Sequence, residues 1–534
     1  MIQLHTLFNS LHKCKSFLEL KQIHALLTTL FTSPSLFDPF ATKVLHFSAN
    51  TSSSSSLQPN IDYAHRIFLK IHTPNVFHYN AIIRSYSNTK SNPNKPLSIF
   101  IRMLRENVDP DYMTYPFVIK ATAKICDLGV GGCVHGMVFR NGFVSDLYIS
   151  NSLIHMYGSC RDVFSAQKVF DDMTVRNLVS WNSIVDGYGK CGEVGMMREV
   201  FDAMFERDVV TWSALVDGYV KEGEYAEALA VFERMMEEGV KGNEVTMVSI
   251  LCACAHLGAL ELGRIMHEYI VENRLPLTLV LNTSLVDMYA KCGAIQEAVV
   301  VFRGVSKRNT DVLIWNAMIS GLATHGFTDE SLEMYKEMQS LGVAPDEITY
   351  LCLLSACAHG GLVKDARYLF GCLKKDFVRP KNEHYACMVD VLSRAGLLLE
   401  AYKFVHEMPI EPTPSVLGAL LNGCMNHRNL ELAEIVGRKL IELDPDHDGR
   451  YIGLSNVYAI VKRYEEARMT REAMETRGVK KYPGSSVVEM FGSLHRFIAR
   501  DKIHPQSDKI YFMLDIIVDE MKLDAELEAH NCCL

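Results

Sequence analysis

The sequence lacks any surplus of positive charge: 54 Lys and Arg face 63 Asp and Glu, for a net charge of −9 at pH 7. That balance disfavours a protein that grips nucleic acid by blanket positive charge and leaves only local basic faces. No apolar run approaches the roughly 18–20 residues a membrane helix needs, because His, Lys, Asp or Asn interrupts every candidate. No Arg stands before Arg66, so Lys13, Lys15 and Lys21 make only a weak organelle-import presequence. The fifteen cysteines are odd in number and scattered, with no secretory signal ahead of them, and they read as reduced thiols. No two of them have Cys-x-x-Cys spacing, and none of the twenty histidines is followed by Glu at the second position. A zinc-dependent base deaminase needs both features, one to hold the metal and the other to shuttle protons. The chain also offers no phosphate loop and no activated nucleophile. The expectation is a protein that is not an enzyme and needs no metal or cofactor.

What is present is a large apolar complement, 48% of residues against 22% charged, which supports an extensive core and excludes wholesale disorder. A length of 534 residues suggests three or four domains unless a repeat accounts for it. A repeat does. Trp181 and Trp212 lie 31 residues apart, and Trp212 and Trp315 lie 103 apart. Ala253-Cys254-Ala255-His256 recurs 103 residues later as Ala356-Cys357-Ala358-His359, and Leu153 to Cys160 is echoed by Leu285 to Cys292. Both intervals are sums of units of 31 to 35 residues.

Inside one unit, Leu285, Met288, Tyr289 and Cys292 fall at i, i+3, i+4 and i+7. After Gly293, the residues Ile295, Ala298, Val299 and Phe302 repeat that spacing. Each unit is therefore a pair of short helices. Gly192, Gly223, Gly293 and Gly326 stand where the first helix must stop, a position suited to a residue that tolerates positive φ. An isolated helix pair cannot bury its apolar faces, so the units must stack. The predicted fold class is all-α, a right-handed superhelical α-solenoid of helix-turn-helix repeats.

These motifs resemble the plant pentatricopeptide-repeat (PPR) proteins of the PLS subfamily, which mixes P, L and S repeat lengths. The units read as 76–111 (P), 112–146 (L), 147–177 and 178–208 (S), 209–243 (P), 244–278 (L), 279–311 (S), 312–346 (P), 347–382 (L) and 383–413 (S). Residues 1–75 read as degenerate repeats with a serine-rich loop at Ser52 to Ser56, and 76–413 as the array proper. Residues 414–481 resemble the family's two E motifs, through Gly418-Ala419-Leu420-Leu421 and Leu454-Ser455-Asn456-Val457-Tyr458. Residues 482–534 resemble its E+ extension and tail, through Pro483-Gly484-Ser485-Ser486, His495, Phe497, Asp501, His504-Pro505 and Ile510-Tyr511. The resemblance implies an E/E+ type member without the DYW deaminase domain.

It further implies that each unit reads one base of single-stranded RNA with its fifth and last residues, while the second wedges between bases. Carried onto this chain, the pairs are Asn80 with Asp111, Asn151 with Asn177, Asn182 with Asp208, Ser213 with Asn243, Thr283 with Asp311, and Asn316 with Asp346. An Asn amide both donates and accepts, so it matches a pyrimidine edge, whereas a Ser or Thr hydroxyl leaves room for a purine. The plainer reading is that each Asn merely caps a helix, but capping does not explain why these slots vary. The second-position residues are Phe77, Tyr148, Val179, Val210, Val280 and Leu313, for which inter-repeat core is the alternative. Pro116, Val248, Leu351 and Cys387 at fifth positions offer no amide. Cys160, Cys191 and Cys292 share one slot before the turn and read as packing residues rather than metal ligands.

The functional expectation is a site-recognition factor for C-to-U RNA editing in a plant organelle, the mitochondrion or alternatively the chloroplast. Its partners would be single-stranded organelle RNA, a deaminase-bearing PPR protein in trans and organelle editing factors, with no membrane. The alternatives are an RNA stability or splicing factor, and a protein-interaction scaffold.

Overall fold

The computed structural model describes residues 61–531 except 90–91, 307–309, 377, 482, 491–492 and 500–501, together with positions 19, 21, 22, 25 and 45. Ser52 to Ser56, Lys13 and Lys15, Asp501, and the Cys532-Cys533 pair lie outside the described residues. The chain forms two compact units, 1–242 and 243–534.

Each repeat folds as two antiparallel helices, such as Val209–Lys221 followed by Tyr225–Glu237. Within each compact unit the first helices of successive repeats pack on one another, and each second helix packs on the first helix of its own repeat and of the next. The result is an α-solenoid. The reversals use the expected glycines, with φ of 80° at Gly192, 79° at Gly223, 83° at Gly293 and 80° at Gly326. Arg161 and Arg428 fill equivalent corners with φ of 60° and 55°, so a non-glycine residue tolerates this position.

The tryptophan spacing that revealed the repeat also marks a repeated joint. A Phe in the last turn of one second helix meets the Trp of the next first helix edge-on, with ring centroids 4.9 Å apart for Phe170–Trp181 and Phe201–Trp212 and 4.8 Å for Phe302–Trp315. Such edge contacts add about 0.5–1.5 kcal/mol each beyond the area they bury. Arg176 and Arg207 complete two of these joints. Each guanidinium covers the Phe ring, at 4.5 and 4.7 Å, and its Nε donates to that Phe's carbonyl at 3.0 and 3.1 Å.

The helical pattern continues through the pairs Pro414–Asn426 with Leu430–Leu443 and Asp448–Ile460 with Tyr464–Thr476. It then departs from the all-helical expectation. Strands β1 (Ser485–Met490) and β2 (Ser493–Ile498) form an antiparallel hairpin, with Val488 opposite His495, ahead of the helix Ser507–Asn531. Val487 and Val488, β-branched and followed by Gly492, were the available sequence signal for it.

Candidate nucleic-acid interface

The last residue of each reading pair is fixed by helix capping. Asn177, Asp208, Asn243, Asp311 and Asp346 are the N-caps of the first helices that follow them, each accepting from the backbone N–H of the third helical residue. Asp111 lies just ahead of the helix Thr114–Ile125 and accepts from the backbone N–H groups of Met113 and Thr114, at 3.0 and 2.9 Å. Capping therefore belongs to the last position and not to the fifth, where the sequence reading had weighed it. Asn80, Asn151, Asn182 and Asn316 sit in the second turn of their own helices.

Four of the pairs hydrogen-bond directly, each within one compact unit. The Nδ2 of Asn80 donates to Asp111 Oδ1 at 2.9 Å, Asn182 to Asp208 at 3.2 Å, and Asn316 to Asp346 at 2.9 Å. In these three pairs the amide Oδ1 lies 2.7 Å from the hydroxyl of a Thr on the next helix, namely Thr114, Thr211 or Thr349. Asn151 donates to Asn177 over a longer 3.3 Å. Its Oδ1 is buried with no hydrogen-bond partner, an arrangement that costs about 1–3 kcal/mol.

The hydroxyl units differ. Ser213 and Thr283 turn back and donate to carbonyls of their own helices, Val209 at 2.6 Å and Leu279 at 2.8 Å. Asp311, the partner expected for Thr283, accepts from Leu313 and Ile314 N–H. Ser213 lies in the first compact unit and Asn243 in the second. Four slots thus carry a bridging amide, and the Ser213 and Thr283 slots carry a hydroxyl that donates to its own helix.

Burial pushes the Asp208 carboxyl up, but donation from the Thr211 backbone and hydroxyl and from the Asn182 amide outweighs it and holds the group below the usual range. Asp346 follows the same balance, with Thr349 and Asn316 as donors. Both are carboxylates at neutral pH, and an ionised carboxylate accepts only. The bridging Asn is therefore held with its nitrogen toward the acid.

The second-position side chains are not core. Tyr148 is 78% exposed, Val280 and Leu313 59%, and Phe77, Val179 and Val210 are also exposed. Tyr148 and Val179 flank a cavity of about 440 Å³ that Asn151, Asn177, His155 and Lys120 also line. Burial pushes the His155 imidazole below its ordinary range, with Lys190 adding to the shift, so it enters this slot as a neutral hydrogen-bonding group.

The charge on this face is paired rather than uniformly positive. Lys190 contacts Asp186 at 2.6 Å, Lys221 contacts Asp217, and Lys291 contacts Asp287 at 2.8 Å, each one turn apart on a first helix. Lys120 donates to Asn88 at 2.9 Å, and Lys124 to the Thr89 carbonyl at 2.9 Å. Exposed pairs of this kind are worth about 0–1 kcal/mol, so a phosphate could displace the acid. Among the described residues no group of three or more His, Cys, Asp or Glu is placed to hold a metal ion, and no helix is long and apolar enough to cross a membrane. Cys254 is buried, and Cys160, Cys191 and Cys292, which share the slot before the turn, are half-buried, as is Cys252.

Comparison with known proteins agrees with this architecture. Models described as PPR repeat match residues 148–178, 179–209, 283–309, 348–376 and 383–411. The PPR repeat family model matches 207–256 and 310–359, a pentatricopeptide repeat domain model 72–124, and an E motif model 427–489. The Arabidopsis thaliana pentatricopeptide repeat-containing protein At5g08305 is 54% identical over 97% of this chain and 96% of its own. A second from the same plant, At5g06540, is 45% identical over 96% of this chain and 82% of its own. In fold, the crystal structure of the pentatricopeptide repeat protein PPR10 from maize matches 86% of this chain and 71% of that one, with a TM-score of 0.52 at 20% identity. The repeat models, the shared E motif and these near full-length relatives together show that the chain belongs to the pentatricopeptide repeat family.

Proposed function

We propose that this protein binds single-stranded RNA sequence-specifically, one base per unit, and marks a cytidine for C-to-U editing in a plant organelle. The observation that carries the reading is the division of the reading slots. Bridging amides at Asn80, Asn151, Asn182 and Asn316 and hydroxyls bonded to their own helix at Ser213 and Thr283 occur in units whose second residues are apolar and exposed. A scaffold for protein helices has no need of that variation.

The expected RNA core is U-n-Y-U-A-n-G-U, read 5′ to 3′ from unit 76–111 to unit 312–346, where Y is a pyrimidine and n is unconstrained. Selection of the full chain against randomised single-stranded RNA tests it. Enrichment of this core supports the reading, and no enrichment, or enrichment of the reverse order, overturns it.

The editing role rests on the E-motif region at 427–489 and on the absence of the His-x-Glu and Cys-x-x-Cys pattern from the sequence, so the deaminase is supplied in trans. Sequencing organelle RNA from a plant lacking the protein should show one or more cytidines no longer converted. A chain cut at 413/414 should keep RNA binding and fail to restore editing. Restoration by the cut chain, or altered transcript abundance or splicing with editing intact, would favour a protective role instead. The compartment we propose is the mitochondrion, on the basic residues Lys13, Lys15 and Lys21. A full-length fluorescent fusion found only in chloroplasts overturns that assignment.

A further inference from the structure

In three units the amide of the fifth residue is held from two sides. The acid of its own unit accepts from Nδ2, and the third residue of the following unit, Thr114, Thr211 or Thr349, brings a hydroxyl to 2.7 Å from Oδ1. The direction of that hydroxyl is constrained. The Thr oxygen accepts from the backbone N–H of the preceding cap residue, at 3.1 Å for Asp111, 3.2 Å for Asp208 and 3.1 Å for Asp346. Its hydrogen is thereby turned toward the amide oxygen and the cap carboxylate. A capping box that looks purely structural thus also sets which end of the neighbouring amide faces which way.

Unit 147–177 breaks the arrangement at both points. Its last residue is Asn177, which can donate as well as accept, and the third residue of the following unit is Ser180. The Ser180 hydroxyl bonds Asn177 Oδ1 at 3.0 Å, as the three Thr hydroxyls bond their own Asp Oδ1 at 2.9–3.0 Å, but unlike them it makes no bond to the neighbouring amide oxygen, that of Asn151. Asn151 is nine-tenths buried, its Oδ1 has no partner, and it lines the cavity between Tyr148 and Val179. Its amide is oriented only by the long 3.3 Å donation to Asn177 Oδ1, with no hydroxyl holding its oxygen.

We infer that the third residue of a unit is a specificity determinant for the base read by the preceding unit. Thr fixes the amide and restricts the slot to uracil, and Ser180 frees Asn151 to present either its N–H or its carbonyl, so that unit 147–177 accepts both pyrimidines. The chemistry follows from the base edges. Uracil offers N3–H as a donor where cytosine offers an unprotonated N3, so an amide that can turn over satisfies both, and one that is locked satisfies one. This inference rests on the RNA-binding reading above.

The test is binding of the full chain to labelled single-stranded RNA of the proposed core, carrying C or U at the third base. Wild type should bind the two about equally. Ser180→Thr should shift the ratio toward U by roughly three- to tenfold, the range that corresponds to one net hydrogen bond. Thr211→Val, close in shape but without the hydroxyl, should relax discrimination against C at the fourth base by a similar factor. Retained binding with both ratios unchanged overturns the inference. If Ser180→Thr fails to fold because its methyl is overpacked, Thr211→Val decides alone, and an unchanged ratio there is fatal. Failure of wild type to prefer the core over an unrelated RNA refutes the RNA-binding reading itself, an outcome distinct from failure of the clamp.

Discussion

Glu489 of strand β1 accepts a hydrogen bond from the backbone N–H of Leu262 at 3.0 Å, and its other carboxylate oxygen accepts from Glu261 at 2.9 Å. These are first-turn donors of the helix Leu260–Glu272, whose own N-cap residue, Ala259, has no side chain to offer them. A residue 227 positions away in sequence thus caps a repeat helix and ties the hairpin to unit 244–278. A carboxylate here also meets the positive end of the helix dipole.

Glu489→Ala should therefore destabilise by about 1 kcal/mol, the usual cost of a lost cap. The loss should be local. Hydrogen exchange at Glu261 and Leu262 should quicken while the unit 76–111 amides stay unchanged. Unaltered exchange at both positions would show that the hairpin does not hold this helix in solution.

Two glycines at one helix crossing predict opposite outcomes. A Cβ added at Gly158 would lie 2.7 Å from the Gly187 Cα, a backbone atom that cannot step aside, whereas a Cβ at Gly187 meets nothing nearer than 3.7 Å. Gly158→Ala should force the first helices of units 147–177 and 178–208 apart, at a cost of about 1–3 kcal/mol. Gly187→Ala should be neutral or should stabilise by up to about 1 kcal/mol through helix propensity. Urea unfolding of the two variants side by side checks the sign of each.

Much of this was readable in the sequence because the repeat is written in side chains that do one job in every unit. Trp181, Trp212 and Trp315 gave the period, and Gly192 and Gly293 gave the reversals. The slot variation at Asn182, Ser213 and Thr283 also stood out, since a structural position would have settled on one residue. The site's wiring was not readable. That the last residue caps while the fifth does not depends on where each helix begins, which periodicity leaves uncertain by a turn. The role of Thr211 depends on a contact between neighbouring units, and the Glu489 cap is a long-range contact with no periodic signature. The hairpin was missed because two six-residue strands are too short to stand out beside so many helices.

The buried thiols predict a pH-dependent labelling pattern. Burial, reinforced by Cys292 and Glu489, pushes the Cys254 thiol up to about 12, and burial with Asp365 does the same for Cys357. At pH 8 both stay protonated and enclosed, so iodoacetamide should spare them in the native protein and modify the exposed Cys126 and Cys133. All four should react in denaturant. Native-state labelling of Cys254 as fast as Cys126 would contradict the burial.

The bridging carboxylates predict an acid limit. Asp208 and Asp346 have folded-state pKa values below their ordinary 3.8, so they contribute stability that is fully present above about pH 4. That contribution is lost as pH falls through the depressed folded value. Stability measured from pH 7 down to 3 should drop more steeply in wild type than in the double variant Asp208→Asn, Asp346→Asn, which cannot take up those protons. Parallel curves would mean the two groups are not held as carboxylates by their Asn and Thr donors.

Unit 279–311 allows a designed change of base preference. Thr283 turns its hydroxyl back to the Leu279 carbonyl and leaves Asp311 to cap the next helix, a slot assigned to guanine. Thr283→Asn should place an amide against Asp311, as Asn316 stands against Asp346, and move the seventh base of the core from G to a pyrimidine. The other positions should not move, since each unit reads its own base. The third residue of the following unit is Ile314, which has no hydroxyl, so the new amide would be held from one side only. The single variant should then prefer U over C weakly, and adding Ile314→Thr should sharpen that preference by roughly three- to tenfold, the contribution of one further net hydrogen bond. Competition binding with G, C, A or U at the seventh base measures both steps. A single variant that still selects G would reject the reading of unit 279–311, whereas a double variant no sharper than the single would reject the part assigned to the following Thr.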